Sequence, residues 1–251
     1  MNTGEILTSI QNKVATITFY HPASNSFPRN LLDKLIMNIN LLSDNNEVTV
    51  IVLQSKGDRA FCAGASFEEL MAIQTLEQGK AFFMGFANLI NAIRKSPKIF
   101  VARVQGKAVG GGVGIISACD YVMATEAASI KLSELSIGIG PFVIEPAVER
   151  KIGISALNEL TLDATHWQTA YWAQKKGLYH KVFENQRELD QAVADFTQKL
   201  SSYNPEALFE MKKVLWKNTD NWDLLLEERA QISGRLVLSD FTKKALQKFK
   251  K

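Results

Sequence analysis

The stretch VQGKAVGGGVGIISACDYV, Val104–Val122, sets three consecutive glycines between two apolar runs and adds a fourth, Gly114, two residues later. The preceding KIFVARV is a near-continuous apolar run of the kind found in a strand covered on both faces. After the glycines the spacing predicts a helix beginning near Gly111 or Gly112 and running through Ala118. A strand-to-helix turn of this kind exposes unpaired amide donors at the helix start, and bare glycine lets a ligand approach them. The common ligand of such a turn is phosphate, but neither nucleotide fingerprint is met. A P-loop requires Ser or Thr after its lysine, whereas Lys107 is followed by Ala108. A dinucleotide loop requires a third glycine, where Ser117 stands instead. Two readings remain: an amide site for an oxyanion, or glycines that only let a helix pack closely on a sheet.

A second turn bears on that choice. RAFCAGASFEEL, Arg59–Leu70, follows the apolar run VTVIVLQS and again places small residues, Ala63-Gly64-Ala65, before a helical start at Ser66, an expected N-cap. Two strand-to-helix turns, each presenting an amide, form the device that stabilises an enolate or a tetrahedral oxyanion. Each donor is typically worth about 2.7–4 kcal/mol.

Outward from these turns, EILTSI and KVATITFY, separated by Gln11-Asn12, read as a hairpin. The loop HPASNSF follows, and Pro28 opens a helix with Leu31, Leu32, Leu35, Ile36, Ile39 and Leu42 on one stripe. A longer periodic segment, Leu76–Lys95, repeats Phe82, Phe83, Phe86, Leu89, Ile90 and Ile93 at helical spacing. Strands separated by such helices imply right-handed crossovers and an α/β core. From about Ile144 the pattern becomes helices only, a helical part expected to pack with the core as one unit.

Composition narrows the function classes. The chain of 251 residues carries a formal net charge of +3 with its basic residues scattered, except for the tail KKALQKFKK. Nucleic acid is therefore not an expected partner. No apolar run reaches the roughly 18 residues of a membrane span, and MNTGEILTSIQNKV lacks the pattern of a signal peptide, so a cytoplasmic protein is expected. Cys62 and Cys119 have no metal-ligand spacing, and His21, His166 and His180 are far apart, so no metal site is expected. The absence of G-x-S-x-G argues against a serine esterase, the other user of an oxyanion hole.

Taken together, FCAGASFEEL and VQGKAVGGGVGIISACDYVMATEAASIKLSELSIGIGP resemble the two signature regions of the crotonase superfamily, the enoyl-CoA hydratases and isomerases. The similarity extends over nearly the whole chain. It implies a crotonase-like α/β spiral of ββα units over residues 1–195, and a C-terminal helical region over 196–251 used in trimerisation, commonly within a hexamer. It implies an acyl-CoA thioester as ligand, with coenzyme A arriving as part of the substrate and no separate cofactor. The amides of Ala65 and Gly111 fall where the family builds its oxyanion hole, with Ala63, Gly64, Ser66, Gly110, Gly112, Gly114 and Phe142 as the surrounding substrate-binding set.

Family hydratases act with two glutamates. The position of the first is Gly114 here, and the second is retained as Glu134 in KLSELSIGIGP. One carboxylate suffices to shuttle a proton in double-bond isomerisation, so the resemblance favours an isomerase over a conventional hydratase. The alternatives are a hydratase that recruits another acid, Glu145 or Glu126, and a catalytically silent acyl-CoA binder. Gly138, Gly140 and Pro141 read as a loop closing over the acyl chain, where Phe142 departs from the family's glycine-rich continuation. The basic residue customary after the first hairpin is absent from HPASNSF, leaving Lys250 or Lys251 to supply charge for the CoA phosphates.

Overall fold

The computed structural model describes residues 4–248; the phosphate contact expected of Lys250 or Lys251 lies outside the described residues. Strands β1 (Glu5–Gln11) and β2 (Val14–Tyr20) form an antiparallel hairpin. Its turn is Asn12-Lys13, with φ of 51° and 65°, the two-residue connection whose twist matches that of its strands. The expected step at Gln11-Asn12 is thus one residue early, because Gln11 still pairs with Val14. Helix α1 (Arg29–Ser43) leads to β3 (Val50–Ser55), which continues the sheet in parallel with β2.

From β3 onward the chain winds as a spiral. Strand β3 is followed by β4 (Ala60–Cys62), β5 (Ile99–Val104) by β6 (Lys107–Val109), and β7 (Tyr121–Thr125) by β8 (Ile130–Lys131). The first strand of each pair joins a six-stranded sheet in the order β1-β2-β3-β5-β7-β9, and the second joins a parallel three-stranded sheet in the order β4-β6-β8. Helices α2 (Phe67–Ala72) and α3 (Leu76–Lys95) return the first turn, and α4 (Gly111–Ala118) the second. This is the expected ββα spiral. Both β3 and β5 are buried nearly throughout, as befits parallel strands covered on both faces.

The C-terminal part is not helices only. After α5 (Glu145–Leu162), kinked at Gly153 with φ of 74°, and α6 (Ala170–Lys175), a three-residue strand β9 (Lys181–Phe183) closes the large sheet beside β7. Three half-exposed residues are too short a run for periodicity to reveal. Helix α7 (Gln186–Ser201) then runs unbroken through residues 195 and 196.

Helices α8 (Pro205–Leu215), α9 (Trp222–Leu236) and α10 (Asp240–Gln247) fold back over the spiral. Buried Lys212 of α8 donates to the carbonyls of Ile93 (2.9 Å) and Lys98 (2.6 Å) and meets Asp120 at 3.2 Å. Helix α9 lies along α3 and touches it at glycine: a Cβ on Gly79 would stand 2.6 Å from the Gly234 carbonyl oxygen. Among the described residues no helix is long and apolar enough to cross a membrane.

Candidate active site

The three strands of the small sheet end side by side, and each runs into a turn bearing one of the expected site residues. Ala65 follows β4, Gly111 follows β6, and Glu134 follows β8. Carboxyl ends of parallel strands are where open α/β sheets hold their ligands.

The first turn is pinned by a neighbouring segment. Phe27 N donates to Gly64 O (2.8 Å), and Ser66 N donates to Phe27 O (3.0 Å). Peptide groups alternate in direction along extended chain, so Ala65 between them turns its amide away from Phe27, and no acceptor for it occurs among the described residues. Beneath the turn, buried Asn25 donates through Nδ2 to the carbonyls of Lys56 (3.0 Å) and Ala60 (2.9 Å) and accepts from His21 N (3.0 Å). The sequence marked HPASNSF only as an awkward loop; a buried asparagine with both ends of its amide engaged is what fixes it. Ser66 caps α2, accepting from Glu69 N at 3.3 Å, and does not line the cavity described below.

Each glycine of the triplet meets a different neighbour. Gly110 has φ 53° and ψ −119°, a conformation that side chains resist, and a Cβ there would stand 2.6 Å from Glu134 Oε1. A Cβ on Gly111 would meet the Phe86 ring at 2.3 Å, and one on Gly112 the Cys62 carbonyl oxygen at 2.7 Å. Close packing thus accounts for Gly112, while Gly110 and Gly111 stand at the mouth of the turn, against Glu134 and the Phe86 ring. The Gly111 amide, at the first turn of α4, likewise has no acceptor among the described residues. A Cβ on Gly64 would lie 3.6 Å from that amide nitrogen, so the two turns adjoin.

Glu134 opens a single 3₁₀ turn, Glu134–Ile137, closed by Gly138 in left-handed conformation. The residue is half-buried as a whole, but its Oε2 is enclosed and has no hydrogen-bond partner. Burial pushes its pKa up from 4.5 to about 7, opposed by a hydrogen bond from its own backbone amide. A carboxyl group balanced near neutrality can both take and return a proton.

The two turns and Glu134 border a cavity of about 160 Å³ walled by Phe67, Leu70, Phe82, Phe83, Phe86, Ile137 and Ile139. Ala63, Gly64, Ala65, Gly110, Gly111 and Phe142 line it, as do Gly140 and Pro141 of the expected loop; Gly138 instead lies under α10, against Phe241. Gly112 and Gly114 are behind the wall. A Cβ on Gly114 would stand 2.3 Å from Ile144 Cγ2, and Ile144 itself lines the cavity. An isoleucine thus fills the space in front of the position where the resemblance implies a hydratase's first carboxylate. A larger groove, about 800 Å³, lies on the outer face of the large sheet, where Asp190 engages Arg103 at 2.6 Å; it contains none of these groups.

The other acids stand apart. Glu145 is raised to about 7 by burial and by a hydrogen bond with Glu149, against the pull of Arg229 at 3.4 Å, but does not line the cavity. Glu126 is exposed and accepts from the Tyr171 hydroxyl. His180 accepts from Val122 N at 3.0 Å and stacks on Tyr121, and burial lowers its pKa to about 4; it serves the fold.

The sequence pattern of enoyl-CoA hydratase/isomerase matches residues 9–250. The chain is 26% identical to the short-chain-enoyl-CoA hydratase of Clostridium acetobutylicum, over 99% of this chain and 95% of that one. It is 28% identical to the peroxisomal Delta(3,5)-Delta(2,4)-dienoyl-CoA isomerase of Arabidopsis thaliana, over 71% and 68%. The crystal structure of an enoyl-CoA hydratase from Bacillus halodurans superposes with a TM-score of 0.90 at 26% identity, covering 97% of this chain and 99% of that one. With the spiral, the paired turns and the pattern all agreeing along the chain's length, it belongs to the enoyl-CoA hydratase/isomerase family, within the crotonase superfamily.

Proposed function

We propose that the protein is an acyl-CoA double-bond isomerase in which Glu134 is the single acid/base. The thioester oxygen accepts hydrogen bonds from the amides of Ala65 and Gly111, with the positive end of α4 behind the second. Ionised Glu134 removes a proton from Cα of a 3-enoyl thioester. The C–H electron pair spreads into a dienolate whose charge rests on the thioester oxygen. Glu134 then delivers the proton to the γ carbon, leaving the double bond at positions 2,3; no water or oxidant enters. The observation that carries this reading is Ile144 against Gly114, which leaves the cavity, among the described residues, with one carboxylate and a hydrocarbon surface where a second would stand. Glu145, with its raised pKa, supports a second reading, hydration by a displaced acid.

The test is to incubate the protein in D2O with 3-enoyl-CoA and 2-enoyl-CoA and follow products by mass, beside Glu134→Gln. Isomerisation without 3-hydroxyacyl product, lost in the variant by about 10²–10⁴-fold, is the expected result. A 3-hydroxyacyl product that vanishes in Glu145→Gln would establish the hydratase instead.

A further inference from the structure

The cavity holds a polar group that isomerisation does not use. Among the described residues, four buried side-chain atoms lack a hydrogen-bond partner: Glu134 Oε2, Thr161 Oγ1, Arg229 Nε and Ser233 Oγ. Glu134 and Ser233 line the same cavity. Ser233 is 1% exposed. A hydroxyl inside a helix ordinarily turns back onto the carbonyl one turn earlier, as Ser43 does to Ile39 O at 2.7 Å, and Ser117 to Val113 O and Thr197 to Val193 O, each at 2.8 Å. Ser233 makes no such bond to Arg229.

Its position is fixed by packing. The next residue, Gly234, is the point where α9 meets α3, and a Cβ there would stand 2.6 Å from Lys80 N. Helix α9 therefore cannot roll the hydroxyl out of the cavity without lifting off α3. The side chains that α2 and α3 give to the cavity are hydrocarbon, among them Leu70, Phe82 and Phe83, and the 3₁₀ turn adds Ile137 beside the Glu134 carboxyl. A buried hydroxyl among such neighbours is destabilising while unpaired, and a ligand oxygen that pairs with it removes that cost. A cavity of about 150 Å³ holds one benzene, and the 160 Å³ here is of the size that suits a short acyl chain of about six carbon-sized atoms.

We infer that Ser233 is a specificity-determining residue, and that the cavity takes a short acyl-CoA whose acyl chain carries a hydrogen-bonding oxygen seated on the Ser233 hydroxyl. The inference rests on the acyl-CoA reading above and names the class of acyl group. A serine hydroxyl both donates and accepts, so the oxygen belongs to a hydroxyl or to a carboxylate, and the experiment separates the two.

Dissociation constants are to be measured by calorimetry for butyryl-CoA, 4-hydroxybutyryl-CoA and succinyl-CoA, which share a four-carbon acyl chain, with the wild type and Ser233→Ala. Alanine keeps the helix, and a melting temperature equal to or above that of the wild type verifies it. One of the two oxygenated thioesters is expected to bind the wild type about tenfold more tightly than butyryl-CoA. Ser233→Ala is expected to erase that preference while leaving butyryl-CoA binding unchanged or stronger. Equal affinities in the wild type, or a preference that survives the substitution, would overturn the inference. Failure of all three to bind overturns the acyl-CoA reading and this inference together. A Ser233-dependent preference in a protein with no isomerase turnover leaves the inference standing and removes the proposed chemistry alone.

Discussion

Glu134 titrates near 7 when folded, against 4.5 when exposed. Between those values the native state holds more protons than the unfolded chain, so stability falls as pH rises through that window. Glu134→Gln removes the buried charge. We expect the variant to be more stable than wild type at pH 8 by up to about 3 kcal/mol, with no gain near pH 4. Denaturant titrations at the two pH values test this, and an equal gain at both would show that burial of the charge is not its source. If Glu134 is the base as proposed, the rising limb of the kcat/KM profile is expected near pH 7. Gly114 and Ile144 make a coupled pair. Gly114→Glu alone is expected to cost roughly 1–3 kcal/mol or more by overpacking, and Ile144→Gly alone to leave a void. Together they should cost less than the sum and yield 3-hydroxyacyl product from 2-enoyl-CoA. Additive losses without hydration would mean that Ile144 is not what keeps the second carboxylate out. Nothing local to residue 114 announces residue 144, 30 positions away, so the sequence marked the missing glutamate but not the side chain that took its space.

At the scale of elements, what was legible had length or a named cap. Helix α3 showed in its phenylalanine stripe, and its start is sealed by a capping box between Thr75 and Gln78. The glycine turns showed because two of them recur after apolar strands. Strand β9 and the turn Asn12-Lys13 did not, since neither is long enough to carry a period. The Ser233 hydroxyl was illegible for a different reason. Its role depends on α9 folding back against α3, a contact between residues about 150 positions apart. That contact is testable: Gly79→Ala forces a Cβ to within 2.6 Å of backbone oxygen, and we expect a loss of at least about 2 kcal/mol. Calorimetric melting of the variant checks this, and an unchanged midpoint would show that the two helices separate freely.

For the whole molecule, the spiral was legible through the resemblance, whereas the order of strands within two sheets is a tertiary fact that only the fold supplies. The resemblance also implies an assembly, and helix α8 presents Met211, Val214 and Leu215, each at least half exposed, along one stripe. We expect a trimer or a hexamer in sedimentation velocity, shifted to smaller species by Val214→Lys; a monomer at micromolar concentration would contradict it. The folding back of the C-terminal helices also has a consequence for synthesis. Both amide turns and Glu134 leave the ribosome within the first 140 residues, yet the apolar cluster that includes Phe82, Phe83 and Leu70 is completed by Val237 and Leu246. A growing chain carries these groups long before it can cover the aromatic wall beside them. Through that interval the nascent protein has a sticky face that its own last helices have not yet reached, and it is there that a chaperone would take hold.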